Sequence, residues 1–256
     1  MESILTVSKL VKVYGGTSAA NATRALDGIS FGVEKGELVA IMGPSGSGKS
    51  TLLNCVATID RPTSGSVLIG GVDASHMRAR ELAQFRREQL GFIFQDSNLL
   101  DTLTCRENIA LPLTIGRTPA AEVDERVERI AGSLGVTKVL EKYPYQVSGG
   151  QKQRVAACRA MVAGPTLVLA DEPTGALDSK NSRVLLERFE TMNQQAGVTI
   201  LMVTHDSFAA SFCQRVLFIR DGRLFTEIRR GDSSRREFFD RIMEVVATIG
   251  GGEDAL

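Results

Sequence analysis

The sequence predicts an α/β fold, and three observations carry that prediction. The apolar run 38–42 has the length of a buried strand, and a glycine-rich loop leads from it straight into a helical segment. Two further apolar runs, 166–170 and 198–203, also have strand length and end in polar or charged residues. Between 96 and 160, helical periodicity replaces the strand pattern. We therefore expect a central sheet surrounded by helices, with a helical subdomain over about 96–160 inserted into it.

Composition sets the scale of the protein and argues against one class of partner. The 256 residues, 43% of them hydrophobic, suffice for one large α/β domain with a smaller subdomain. Lysine plus arginine and aspartate plus glutamate both number 30, a balance that argues against a nucleic-acid partner. The four cysteines are scattered without a C-x-x-C pair, which favours a reduced, cytosolic compartment. No apolar run approaches the roughly 18 residues that span a bilayer, and no secretory signal is expected, so work at a membrane would require a partner protein.

The first part of the chain is expected to form two strands, at 4–13 and 25–33, separated by a loop at 15–22. Tyr14 ends the first strand, upstream of the glycine-rich loop. An aromatic ring in that place can stack on a nucleotide base. Taken alone, an ordinary edge-strand tyrosine is the more frequent explanation, so both interpretations stay open here.

The loop after 38–42 carries the pattern G-x-x-x-x-G-K-[ST] of a phosphate-binding P-loop. Its glycines let successive backbone N–H groups point inward, and the positive end of the helix dipole lies behind them. Lys49 is expected to reach the terminal phosphates, and the Ser50 hydroxyl is expected to bind magnesium. The chain is therefore predicted to bind a nucleoside triphosphate through Gly43, Ser45, Gly46, Ser47, Gly48, Lys49, Ser50 and Thr51.

Gln95 follows a short strand expected at 90–94. Before that strand we expect a turn at 60–65, a strand at 66–69 and a charged helical stretch at 76–89. A glutamine at a strand end beside the phosphate site can bind magnesium and sense the attacking water. A glutamine in a loop is more often polar surface, so this assignment depends on its context.

Helices dominate 96–160, including one at 119–134, and the insert ends just before another helix in Ser148, Gly149, Gly150 and Gln151. Ser148 and Gln151 have the spacing of a capping box. The two glycines between them leave bare N–H groups suited to an anion. Both interpretations can hold together. Two phosphate-binding helix starts in one chain suggest a nucleotide held between two copies.

The strand at 166–170 ends in two adjacent carboxylates, Asp171 and Glu172. In P-loop enzymes the first acid of such a pair steadies magnesium, and the second orients or deprotonates the hydrolytic water. Asp171 is therefore assigned to the metal and Glu172 to the water. An isolated D-E pair is a weak signal, but an apolar strand before it and a P-loop in the same chain make it specific.

The strand at 198–203 delivers His205 to the edge where α/β sheets place their ligands, so a contact to the γ-phosphate is expected. A lone histidine is more often a hydrogen-bonded structural residue. Further on, a hairpin that turns at Asp221-Gly222 is expected to close the core. A tail helix is expected to carry on one face Phe239, Ile242, Met243 and Val246. This face is expected to pack on the core rather than dock a partner. A flexible end is expected from residue 250.

Together these motifs resemble the ATP-binding subunit of ATP-binding cassette (ABC) transporters, over residues 3–230. The resemblance is carried by the P-loop at 43–51, Gln95 as Q-loop, Ser148-Gly149-Gly150-Gln151 as signature, Asp171-Glu172 as Walker B, Ala176-Leu177-Asp178 as D-loop and His205 as switch histidine. Val147 departs from the leucine most frequent in the family, an apolar exchange. The resemblance also raises Tyr14 to an adenine-stacking residue.

The resemblance implies a RecA-like P-loop NTPase core with an antiparallel β subdomain and the inserted helices. It implies an ATPase domain over 1–232, followed by an amphipathic helix and flexible tail over 233–256. It also implies ATP and Mg²⁺ as cofactors and a head-to-tail homodimer with two ATPs at its interface. Each site pairs the P-loop of one subunit with Ser148, Gly149, Gly150 and Gln151 of the other.

In this family, ATP binding closes the dimer and hydrolysis reopens it. The cycle drives an integral membrane permease, which such subunits usually meet around 95–103. The expected location is therefore the cytoplasmic face of the plasma membrane, reached through the permease.

Within the family, the run 172–179 resembles the branch of macrolide exporters, lipoprotein-releasing and cell-division transporters. The runs 92–104 and 202–206, with Phe238-Phe239 in the tail, are most similar to bacitracin-resistance (Bce-type) subunits. Such bacterial systems remove or sense peptide antibiotics and often signal to a sensor histidine kinase. The expected function is ATP hydrolysis coupled to peptide-antibiotic export, with lipoprotein release, macrolide efflux or cell division as alternatives.

Proteins without a permease form the distant alternative. A soluble kinase has no use for the signature segment. Cassette proteins that act on ribosomes generally carry two such domains in one chain, and this chain has one and no basic patch. Both classes rank far below the transporter subunit.

Overall fold

The computed structural model describes residues 3–15 and 22–250. Its strands are β1 (Ser3–Tyr14), β2 (Thr23–Glu34), β3 (Leu38–Met42), β4 (Ser64–Ile69), β5 (Val72–Asp73), β6 (Leu90–Ile93), β7 (Leu167–Asp171), β8 (Ile200–Val203), β9 (Arg215–Arg220) and β10 (Arg223–Arg229). Its α-helices are α1 (Lys49–Val56), α2 (Ala79–Gln89), α3 (Cys105–Ile115), α4 (Ala120–Leu134), α5 (Gly149–Met161), α6 (Ser179–Ala196), α7 (Ser207–Ala210) and α8 (Arg235–Gly250). None of the helices in these ranges combines the length and apolar character needed to cross a bilayer. Most of the loop expected at 15–22, and all but the first residue of the flexible end expected from 250, lie outside the described residues.

The strands form two sheets. One is a four-stranded antiparallel sheet in the order β2-β1-β4-β5. The other has six strands in the order β10-β9-β3-β8-β7-β6, where β10 is antiparallel to β9 and the other neighbours are parallel. β3, which leads into the P-loop, lies between β8 and β9. The predicted α/β core with an antiparallel β subdomain is confirmed.

Burial on both faces explains why the central strands are uninterrupted apolar runs. All five residues of β3 are buried. Successive side chains of a strand point to opposite faces, so β3 contributes to two cores. Val39 and Ile41 pack with α1 and the antiparallel sheet, whereas Ala40 and Met42 pack with the helical insert. The strand that carries the P-loop is therefore fixed from both sides.

Between β6 and β7 the described chain adds helices and no strand. α3, α4 and α5 share one core through Ile109, Val127, Ile130 and Val155, all of them buried. α4 follows the spacing expected at 119–134, because its apolar residues recur at three- and four-residue intervals between charged ones. The insert places the start of α5 at the edge of the molecule that also carries Gln95.

The C-terminal helix α8 packs on the core through a face that only partly overlaps the predicted one, since Ile242 and Val246 contact the core. Phe238, Ile242 and Ile249 are buried, whereas Met243 is 44% exposed. Arg235, one turn before Phe238 on the same face, has its guanidinium 4.3 Å from the centre of the Phe212 ring. Apolar residues occur on both faces of the helix, so the neighbouring segment decides which one is buried. Periodicity within α8 alone could not reveal that choice.

Candidate nucleotide site

The P-loop connects β3 to α1 through glycines that admit no side chain. Gly48 is the N-cap of α1 with φ of 102°, and no side chain of the described residues caps this helix. A Cβ at Gly48 would lie 2.5 Å from the carbonyl oxygen of Ala25, and one at Gly43 would collide with the carbonyl of Ile219. Only glycine fits at both positions. The first N–H groups of α1 are left to bind an anion.

The Lys49 side chain folds over the loop. Its Nζ donates hydrogen bonds to the carbonyl oxygens of Gly43 and Pro44, both at 2.8 Å. Burial lowers the pKa of the ammonium group, and the carboxylates of Glu172 and Asp171 oppose that shift. The positive charge of Lys49 therefore lies between the loop and the two acids that end β7.

A cavity of about 380 Å³ opens beside the P-loop. Its lining comprises Ala25 and eight of the predicted site residues, namely Ser45, Gly46, Gly48, Lys49, Ser50, Thr51, Glu172 and His205. Gly43 and Ser47 belong to the loop but not to this lining. Ser47 is 3% exposed, and its Oγ has no hydrogen-bond partner among the described residues. A cavity of this size and polarity is within the range of small-molecule sites.

Glu172 and His205 meet where β7 and β8 end. Nδ1 of His205 lies 2.8 Å from Oε1 of Glu172. The Thr204 hydroxyl donates to Oε2 of Glu172 at 3.3 Å, and the backbone N–H of His205 donates to the same oxygen at 3.4 Å. Glu172 has φ of 45°, a value that non-glycine residues rarely adopt. The residues after β8 therefore hold a carboxylate whose backbone conformation is unfavourable by itself.

Asp171 ends β7 beside Glu172 and is half-buried. Burial raises the pKa of the Asp171 carboxyl, the neighbouring Glu172 carboxylate raises it further, and Lys49 opposes both effects. A nearby cation would stabilise the ionised form of this group. Together with the Ser50 hydroxyl on the cavity wall, Asp171 supplies the hard oxygen donors that magnesium prefers. The donor chemistry at this edge of the sheet fits the metal.

Tyr14 is tied to the segment that follows α1. Its hydroxyl donates to Oδ2 of Asp60 at 2.5 Å, and the Lys12 ammonium lies 4.8 Å from the centre of its ring. Burial and the bond to Asp60 raise the pKa of the Tyr14 phenol, whereas a hydrogen bond with Thr51 lowers it. Thr51 lines the P-loop cavity, and Tyr14 is 39% exposed. An accessible aromatic ring therefore lies next to the cavity.

The predicted signature segment, residues 148–151, lies away from the P-loop cavity. Ser148 Oγ accepts a hydrogen bond from the Gln151 N–H at 3.3 Å, and Gln151 Oε1 accepts one from the Ser148 N–H at 3.0 Å, so the capping box is formed. Gly149 lines a second cavity, of about 330 Å³. Gln95 also lines this second cavity, with its side chain against Gly175. Within one chain, neither Gln95 nor residues 148–151 line the P-loop cavity.

Three residues near the cavity had no assignment from the sequence. Ala25 lines the cavity, and an alanine at the start of a strand gives no signal of that role. Thr204 separates an apolar strand from His205, and a polar residue at the carboxyl end of a parallel strand is the signal that would find it. The N–H of Gly222 donates to the carbonyl oxygen of Ser47 at 3.1 Å, although the sequence marks this glycine only as a hairpin turn.

Known proteins of one family match this chain over more than half of its length. The family profile described as ABC transporter matches residues 26–175. Bacitracin export ATP-binding protein BceA of Halalkalibacterium halodurans is 49% identical over 249 residues, which cover 97% of this chain and 98% of that protein. ABC transporter ATP-binding protein YxdL of Bacillus subtilis is 49% identical over 256 residues, 100% of this chain and 98% of that protein. The profile match spans the P-loop, the segment 148–151 and both acids that end β7.

A solved structure with a similar fold is a dimer. The dimeric structure of the ATP-binding cassette MJ0796 of Methanocaldococcus jannaschii, in a post-hydrolysis state bound to ADP and Pi, matches this chain with a TM-score of 0.78. The match has 36% sequence identity and covers 88% of this chain and 98% of that one. A cassette of this fold is therefore known as a pair with hydrolysis products bound.

Proposed function

The chain belongs to the ABC transporter family, and from that premise we propose that it powers a bacterial exporter of peptide antibiotics. As a member of the family it binds and hydrolyses ATP. The proposal adds a homodimer as the working form and magnesium as the metal. It also adds an integral membrane permease as the partner that holds the dimer at the cytoplasmic face of the plasma membrane.

The separation of the two glycine-rich helix starts supports a head-to-tail pair of copies, and this one observation carries the proposal. In one chain the P-loop cavity and the cavity beside Gly149 are distinct. A nucleotide held by the P-loop exposes its γ-phosphate to the open side, where further donors stabilise charge. The start of α5 in a second copy offers bare backbone N–H groups for that purpose. The dimeric MJ0796 cassette is a precedent for such a pair.

In the proposed site, Tyr14 stacks on the adenine, and Lys49 with the N–H groups of α1 holds the terminal phosphates. The second copy covers the same phosphates with Ser148, Gly149, Gly150 and Gln151. Magnesium, when bound, would neutralise part of the phosphate charge, and its proposed ligands are Ser50 and Asp171, joined by Gln95 once that side chain leaves Gly175 in the second cavity.

Hydrolysis in this proposal depends on Glu172 and His205. Glu172 orients the attacking water and accepts its proton, because it directly follows β7 and lines the wall of the cavity. His205, whose Nδ1 lies 2.8 Å from that carboxylate, contacts the γ-phosphate with the rest of its ring. In this proposal the residues of one chain supply both the phosphate-binding groups of the P-loop and the base.

The peptide-antibiotic role rests on likeness alone. Identity of 49% to a bacitracin export protein extends over 97% of the chain, including the C-terminal helix. The substrate itself would be handled by the permease, so no residue of this chain is assigned to it. A sensor histidine kinase is expected only from the family resemblance, and we do not include it in the proposal.

Purification of the tagged chain from detergent-solubilised bacterial membranes, with co-purifying chains identified by mass spectrometry, tests the role. A large permease with an extracytoplasmic domain is the expected partner. A lipoprotein-release, macrolide or cell-division permease would keep the ATPase mechanism and contradict the antibiotic role. Absence of any membrane partner, under conditions that preserve a control transporter complex, would contradict the transporter proposal.

A further inference from the structure

Two backbone hydrogen bonds in series link the P-loop to segments outside it. The N–H of Gly222, in the β9–β10 turn, donates to the carbonyl oxygen of Ser47 at 3.1 Å. The N–H of Asp27, on β2, donates to the carbonyl oxygen of Gly222 at 2.8 Å. These bonds run from the antiparallel sheet, through the hairpin turn, into the phosphate-binding loop.

The packing at this junction leaves no space for a side chain. Gly222 has φ of 72°, and a Cβ there would lie 2.8 Å from the carbonyl oxygen of Ala25. A Cβ at Gly48 would lie 2.5 Å from the same oxygen. The Ala25 carbonyl is therefore wedged between the hairpin turn and the P-loop. Because interiors are close-packed, a shift of β2 or of the turn would be transmitted to the loop.

An ion pair closes the junction from the solvent side. Nε and Nη2 of Arg223, the first residue of β10, donate to Oδ2 of Asp27 at 2.7 and 2.5 Å. Arg24 donates to Oδ1 of Asp27 at 2.5 Å from the same strand. The Arg24 contact is local, whereas the Arg223 contact spans 196 residues of sequence and joins the two sheets. The pair Asp27–Arg223 therefore holds β2 and the hairpin together beside the P-loop.

We propose that Asp27, Arg223 and Gly222 are positioning residues for ATP binding, which hold the P-loop in its phosphate-binding shape without touching the nucleotide. The inference rests on the proposed function only in placing ATP at the P-loop. A glycine-rich loop has high conformational freedom of its own, so its order must come from its surroundings. A loosened loop has to be ordered each time ATP binds, and that cost appears as lower affinity.

Isothermal titration calorimetry with ATP tests the ion pair. Asp27→Asn and Arg223→Gln should each weaken ATP binding about threefold to fivefold, the scale of one partly exposed ion pair. The double variant should be no weaker than either single one, because both changes remove the same link. Glu190→Gln is the matched control, since it breaks a 3.3 Å pair between α6 and Arg230, the residue after β10, and it should leave ATP affinity unchanged.

A pair of glycine variants tests the turn. Gly222→Ala and Gly231→Ala both place alanine at a positive φ, 72° and 57°, but nothing lies within 4 Å of a Cβ at Gly231. Both variants should lower the thermal unfolding temperature by the shared backbone strain. Only Gly222→Ala should also weaken ATP binding, by about tenfold, because its Cβ would displace Ala25.

The outcomes separate this inference from the proposed function. Unchanged ATP affinity in Asp27→Asn and Arg223→Gln, or an equal loss in Glu190→Gln, would overturn the positioning role and leave the proposed function intact. A lower unfolding temperature without a change in affinity would assign these residues a purely structural role and overturn it too. Failure of the unaltered chain to bind ATP would instead overturn the proposed function.

Discussion

The starts of α1 and α5 look alike in sequence, as glycine-rich segments that open a helix, yet they are built differently. At α1 a glycine is the N-cap, Lys49 covers the loop carbonyls, and Glu172 and His205 line the same cavity. At α5 a reciprocal capping box closes the helix start, and neither Glu172 nor His205 lines the cavity beside it. The first start has its acid and histidine within the same chain. The second offers backbone N–H groups and a serine hydroxyl.

The difference fits the proposed pair, in which one chain contributes the P-loop to one nucleotide site and the start of α5 to the other. The capping box satisfies donors of α5 without a ligand, so this helix start is stable while it is exposed. The uncapped start of α1 depends on its neighbours for shape and on a bound anion for its donors. Neither first turn contains an acidic residue, so both starts suit an anion.

Removing the base beside the start of α1 should have the largest effect, a slower ATP hydrolysis, and should leave the pairing of two copies intact. In Glu172→Gln, ATP hydrolysis should slow about 10²- to 10⁴-fold, because proton transfer to a positioned base is lost. ATP binding should persist, so paired copies should accumulate in the presence of ATP and magnesium. Phosphate release and light scattering measure the two effects. Undiminished turnover would contradict the assignment of Glu172.

Replacing the lysine at the start of α1 should weaken ATP binding, whereas replacing a lysine near the start of α5 should not. Lys49→Ala should weaken ATP binding about tenfold to a hundredfold, the scale of a hydrogen bond to a charged group. Lys152→Ala, a lysine that lines the second cavity near the start of α5, is the control and should leave the affinity of the single chain unchanged. Calorimetric titration with ATP compares them. Equal losses in both variants would mean that the starts do not differ in this way.

Removing the serine cap should affect hydrolysis without affecting ATP binding to one chain. Ser148→Ala should lower stability by about 1 kcal/mol, the usual loss for an N-cap. Thr104→Ala removes the same kind of capping box from α3 and should lower stability similarly. Only Ser148→Ala should also reduce hydrolysis, by about fivefold, at concentrations where copies pair. Parallel thermal unfolding and phosphate-release assays decide whether Ser148 is more than a cap.

The smallest effect concerns a helix start with an acidic cap, which α1 and α5 lack. Asp178 caps α6, and hydrogen bonds from the backbone and side chain of Asn181 hold the pKa of the Asp178 carboxyl below its usual range. The stabilisation is complete above the unfolded pKa near pH 4 and is lost as the pH falls through the lower folded value. Asp178→Asn should therefore reduce the acid sensitivity of thermal unfolding slightly. Identical unfolding curves between pH 3 and pH 5 would show that the cap contributes nothing.

Much of the site could be predicted because side-chain types mark it. The P-loop, the two acids and His205 all follow apolar strands, and parallel strands bring their carboxyl ends to one edge of a sheet. Gln95 follows the same rule, yet β6 is the edge strand, and the side chain lies against Gly175 in the neighbouring cavity. The sequence does not reveal how far Gln95 lies from the P-loop along this edge of the sheet.

Contacts of the backbone were the part that could not be predicted. The carbonyl of Ala25 touches the P-loop through an atom that every residue possesses, so no residue type signals it. Gly222 was recognised as a turn, but its bond to Ser47 depends on how two distant hairpin strands are placed. The buried face of α8 is a similar case, because it depends on packing against α7, a separate segment of the chain.

β3 is synthesised before the two strands that flank it in the sheet. Its neighbours in the sheet, β8 and β9, begin at Ile200 and Arg215, far beyond β3 in the sequence. A chain that leaves the ribosome in order therefore holds an apolar strand with two open edges until β8 and β9 are made. The P-loop that follows β3 also lacks a contact during that time, because Gly222, whose N–H bonds the Ser47 carbonyl, is made later still. Shielding by a chaperone, or burial of β3 in the antiparallel half of the fold, has to bridge the interval.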